Sequence, residues 1–108
     1  MLVVNEHATR SEILKSIQAH SRELQGRRVY LFGSRARGDA GRSSDFDIGI
    51  DGSEPLDLAV FFEIEDSLQQ IPTLYQFDLV DLNRASPRLR ENARREGRLL
   101  YEALGHIA

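Results

Sequence analysis

The chain has no cysteine. That excludes a disulfide framework and any zinc site built on thiolates. Long apolar runs are missing too. The longest, Leu58 to Phe62, falls far short of the roughly 20 residues needed to cross a bilayer. The amino terminus, Met1-Leu2-Val3-Val4-Asn5-Glu6-His7, has neither a basic start nor a long apolar stretch and is not read as a signal peptide. A cytoplasmic protein with no membrane contact is expected. Lysine is nearly absent: thirteen arginines stand against Lys15 alone. The net charge of −3 argues against a protein that wraps nucleic acid directly. Arginine grips phosphate bidentately, so where the arginines lie matters more than their sum. Three lie at 35, 37 and 42, and six more between 84 and 98.

What is present is otherwise ordinary. With 108 residues, 41% hydrophobic and 29% charged, the chain reads as a single globular domain over residues 1–108. Thr9 to Glu12 has the pattern of a capping box. Ile13, Ile17 and Leu24 follow at helical spacing, which predicts a helix over residues 9–25 closed by Gly26. Val29 to Phe32 is rich in strand formers and stops at Gly33. Asp45 to Asp51 alternates between acidic or glycine positions and apolar ones, the pattern of a half-buried strand. A second helix is expected over residues 57–69 and a third strand over residues 75–82. Ser86-Pro87 opens a last helix, with Leu89, Ala93, Leu100 and Leu104 as its core stripe and Gly105 at its end. The order α-β-β-α-β-α predicts a small mixed α/β (α+β) sheet flanked by helices.

The chemistry concentrates in one stretch. In Asp45-Phe46-Asp47 the strand period puts both carboxylates on one face, about 7 Å apart along the chain, while Phe46, Ile48 and Ile50 point into the core. Two carboxylates on one face repel unless a cation sits between them. Oxygen-only ligands suit Mg²⁺, which fills its shell with water and substrate phosphate oxygens. Gly49 continues that face without a side chain, leaving room for a ligand. Asp78 stands in an apolar strand, where a carboxylate is costly unless paired or coordinated. If its strand lies beside the Asp45 strand, three carboxylates cluster and can hold two metal ions for phosphoryl transfer. Asp78 could then help take a proton from an attacking hydroxyl. Gly33 and Ser34 end a strand with bare N–H groups suited to phosphate, and Arg35 and Arg37 can add charge nearby.

Gly33-Ser34-Arg35-Ala36-Arg37-Gly38-Asp39-Ala40, followed by Ser44-Asp45-Phe46-Asp47-Ile48, resembles the active-site signature of the DNA polymerase β-like nucleotidyltransferase superfamily. It looks closest to the minimal nucleotidyltransferase group of bacteria and archaea. The resemblance covers most of the chain from Arg28 onward, including Asp78 and the tail from Pro87 to Glu102. It implies the nucleotidyltransferase fold, with Gly33 and Ser34 on the triphosphate, Asp45 and Asp47 on the metals, and Asp78 on a metal and the acceptor hydroxyl. It also implies a partner. Members of the group are commonly antitoxins beside an all-helical HEPN ribonuclease, and some add AMP from ATP to a tyrosine of that toxin. Larger relatives carry extra helical domains that recognise the acceptor. Here that surface must come from the domain itself, from a bound partner, or from a homo- or hetero-oligomer.

Two other functions remain open at this level. The chain could neutralise its partner by contact alone, or transfer a nucleotide to a small molecule such as an aminoglycoside, or to an RNA end. The remaining features read as structure. His7, His20 and His106 are expected at the surface without ligand-spaced companions. Leu58, Phe61 and Phe62 are expected in the core, and the arginines of residues 84–98 on a solvated face. Asp81 has the opposite parity to Asp78 and should lie off the metal face.

Overall fold

The computed structural model describes residues 5–33 and 46–103. Helix α1, Glu6–Gln18, is capped by Asn5, whose side chain accepts from the Ala8 N–H at 2.7 Å. The predicted cap, Thr9, lies a turn inside the helix and is fully buried. Its hydroxyl donates to the Asn5 carbonyl at 2.8 Å. Asparagine is the stronger cap of the two, and Thr9 serves the core instead. The helix ends at Gln18 rather than at residue 25. Turns follow, with Leu24 fully buried and Gly26 at φ +77°.

Strand β1, Arg27–Phe32, pairs antiparallel with β2, Phe46–Asp51. Helix α2, Leu58–Gln69, is capped by the Asp57 carboxylate, which accepts from the N–H groups of Ala59 and Val60. Strand β3, Phe77–Asp81, runs parallel to β2. Helix α3, Pro87–Glu96, is capped by Ser86 as expected. The sequence reading then fails: the last helix stops at Gly97, and Arg98–Ala103 forms a fourth strand, β4, antiparallel to β1. The sheet order is β3-β2-β1-β4.

Gly97 explains the break. Its backbone is extended and its N–H donates to the Ala93 carbonyl at 2.9 Å. A Cβ there would collide with that carbonyl oxygen and press on Leu31 O at 3.2 Å. A continued helix would leave the outer edge of β1 unpaired, whereas Arg98–Ala103 satisfies it.

One face of the sheet carries Val29, Leu31, Phe46, Ile48, Ile50 and Leu79, which pack with Ile13 and Ile17 of α1 and Ile64 and Leu68 of α2. The three apolar residues of β2 are fully buried, as alternation requires. Phe61 packs partly against this core, but Leu58 and Phe62 are 52% and 54% exposed, contrary to expectation. With Phe61, Leu79 and Val80 they line an apolar groove beside β3. Among the described residues no helix is long and apolar enough to cross a membrane.

Candidate active site

The opposite face carries the acids. Strand β1 ends at Phe32, which is in register with Asp47 of β2, and Asp47 is in register with Asp78 of β3. Residues in register on adjacent strands share a face, and neighbouring strands lie about 4.8 Å apart. The strand adjacency that the sequence reading required therefore exists; it is parallel, and it sets Asp47 directly beside Asp78. Asp47 is half-buried and Asp78 exposed. The burial cost invoked for Asp78 from its apolar neighbours does not arise, because the strand turns it to solvent.

Gly33 completes this corner. Its φ is +75°, and an added Cβ would fall on Oδ2 of Asp47 and 3.2 Å from its Cγ. The chain can turn here only without a side chain, and the space so freed is filled by the Asp47 carboxylate. Asp45, Ser34, Arg35 and Arg37 lie outside the described residues.

Gly49 is a correction. A Cβ on it would lie 2.9 Å from Cδ1 of Leu82, so the gap in the acidic face holds a leucine and not a ligand. Asp51, at the end of the same face, is only 6% exposed. It accepts from Nε of Arg90 at 2.9 Å and from Nε and Nη2 of Arg94 at 2.8 and 3.3 Å. Two arginines read as a solvated face thus turn inward and dock α3 on the sheet. Burial pushes the Asp51 carboxyl up. The hydrogen bonds from Arg94 and Arg90, and then their charges, outweigh that and hold it below the ordinary carboxylate value. Asp81 lies on the core side, as its parity required, in register with Ile50. It accepts from the N–H groups of Leu56 and Asn83 at 2.8 and 3.0 Å, a structural use.

Two exposed or half-exposed carboxylates on adjacent strands, against a glycine turn, can hold a cation and present it to a phosphate chain. The family model described as "Polymerase beta, Nucleotidyltransferase" matches residues 12–104. The chain belongs to that family. The nucleotidyltransferase is 38% identical over 76 residues to the protein adenylyltransferase MntA of Thermococcus cleftensis, covering 67% of this chain and 76% of that protein. Among solved structures, a toxin–antitoxin with AMP-PNP shares 31% identity at a TM-score of 0.69, covering 86% of this chain and 73% of the other. A complex of tri-AMPylated Shewanella oneidensis HEPN toxin with MNT antitoxin matches at 26% identity and a TM-score of 0.65, covering 91% and 73%.

Proposed function

We propose that this nucleotidyltransferase transfers AMP from ATP to a tyrosine hydroxyl of a HEPN-family toxin and acts as its antitoxin. The observation that carries the reading is Asp47 in register with Asp78 on one face, with Gly33 closed against Asp47. The adenylyltransferase name of the Thermococcus relative and the AMPylated toxin in the Shewanella complex support AMP and a protein acceptor. The single domain of residues 1–108 would act in the cytoplasm, where ATP and the toxin are both at hand.

Asp47 and Asp78 fit Mg²⁺: they are oxygen donors in register on adjacent strands, one half-buried and one exposed, and Asp45, two residues before Asp47 in the sequence, would add a third carboxylate. When bound, a pair of magnesium ions would supply charge stabilisation for the attacking and leaving oxygens. The chain's own residues do the rest. Backbone N–H groups at Gly33 and Ser34 hold the triphosphate, and Arg35 and Arg37 add positive charge beside it. The acceptor oxygen attacks the α-phosphorus, a new P–O bond forms, and the bond to the bridging oxygen breaks with loss of pyrophosphate. Asp78, exposed on β3 beside Asp47, takes the hydroxyl proton on its carboxylate.

The test mixes the protein, Mg²⁺, labelled ATP and a HEPN toxin. Label on the toxin, lost with Asp45→Asn and Asp47→Asn, is expected; no transfer, or transfer indifferent to both changes, overturns the reading. The exposed Leu58 and Phe62 favour a second reading, neutralisation by contact. Full protection from toxin by the Asp45→Asn/Asp47→Asn double variant at equal expression would select it.

A further inference from the structure

A second cluster of ligating side chains lies away from the acidic corner. His20 and Glu23 stand in the turns that lead into the start of β1, whereas Gly33 follows its end. Glu63 projects from α2, and one donor atom from each of the three lies within 4.8 Å of the others. The backbone beneath is well held. The His20 N–H donates to Ile17 O at 3.0 Å, and the Leu24 N–H donates to His20 O at 3.1 Å, with Leu24 fully buried. Glu63 is followed by the fully buried Ile64.

The imidazole is also oriented. The Ser67 hydroxyl donates its one hydrogen to the Glu63 carbonyl at 3.1 Å. Its oxygen, 3.0 Å from His20 Nε2, then accepts from that nitrogen, which leaves Nδ1 as the nitrogen not engaged by Ser67. A metal-bound histidine is commonly held in this way, through one ring N–H donated to an oxygen. Two glutamates brought together beside it repel one another until a cation joins them.

We propose that His20, Glu23 and Glu63 bind a divalent transition metal of the zinc class, with Ser67 as the positioning residue for the histidine. One nitrogen and two carboxylates match a three-ligand zinc site with an open position. The nitrogen sets it apart from the oxygen-only corner, which suits magnesium. Such an ion clips the turns after α1 to α2. The site is independent of the catalytic reading.

The experiment is calorimetric titration of zinc chloride into the intact protein in excess Mg²⁺, which occupies the oxygen-only carboxylates. One zinc equivalent is expected, with binding weakened about tenfold or more by His20→Ala and by Glu63→Gln, and about tenfold by Ser67→Ala. Zinc should also raise the Tm of the parent protein and not that of Glu23→Gln, a surface change that leaves the fold intact. Equal stoichiometry and affinity in the parent and all variants, or no zinc uptake beside Mg²⁺, would overturn the proposal. Neither readout involves nucleotide transfer, so failure here and failure of the transfer reaction are distinguishable.

Discussion

The carboxylate of Asp47 occupies the space that a side chain on Gly33 would need. The strand that supplies a candidate metal ligand and the glycine turn proposed to hold the phosphates are thus one fitted unit. A change in either is felt by the other.

Gly33→Ala should therefore separate stability from activity. Alanine in a left-handed conformation costs about 1–2 kcal/mol, a loss of roughly 4–8 °C in Tm per kcal/mol for a domain of this size. Displacing Asp47 should cut transfer about 100-fold or more. Thermal melts and label transfer on the same preparation check both. Near-parental transfer would show that the contact does not position Asp47.

Asp78→Asn should behave differently. Asp78 is exposed, so stability should change by no more than about 0.5 kcal/mol. Transfer should fall about 100-fold or more, through loss of the proton acceptor and a metal oxygen. A stability loss matching the activity loss would mean that the residue is structural.

Gly49→Ala should destabilise by about 1–3 kcal/mol, since its Cβ meets Leu82. Leu82→Ala alone should cost about 2–5 kcal/mol, because Leu82 is fully buried. The double variant should be less destabilised than the two losses added, as the new methyl partly fills the vacated space. Strict additivity in urea unfolding would rule out the contact.

Asp51 predicts an acid limb. A carboxyl held below its ordinary value contributes stability that is present above the unfolded value, near pH 4, and lost as pH falls through the lower folded value. Asp51→Asn should lose about 1–3 kcal/mol at neutral pH. That is less than for a fully buried pair, because Arg94 is 44% exposed. It should also flatten the pH dependence below about pH 4. Parallel urea melts from neutral to acid pH measure this, and an unchanged acid slope would exclude Asp51 as its source.

Gly97→Ala should weaken the junction of α3 and β4 by about 1–3 kcal/mol, because the added carbon strikes the Ala93 carbonyl. Amide exchange should rise first along β4. Protection unchanged in Arg98–Ala103 would contradict the role given to Gly97.

Much of this protein was legible in its residues. Strict alternation in Phe46–Asp51 assigned the core and acidic faces of β2, because a strand exposes every second side chain on the same side. Ser86-Pro87 announced its helix, since capping is local chemistry between near neighbours. The carboxylate pattern and Gly33-Ser34 pointed to phosphate chemistry for the same reason: spacing along the chain carries it. Other features depend on what lies across the fold. Arg98–Ala103 became a strand because β1 had an open edge, which no local pattern records. Gly49 faces Leu82 and not a ligand, because the residue that follows β3 packs against it, and Asp51 gathers Arg90 and Arg94 from α3. His20 read as isolated until α2 brought Glu63 and Ser67 beside it. Asp78 was suspected from its type and place, but its position beside Asp47 came from the parallel register of β2 and β3. Sequence alone determined which groups could do chemistry, through local periodicity and capping. Tertiary structure decided which of them meet, because strand pairing and helix docking join residues that the chain holds far apart.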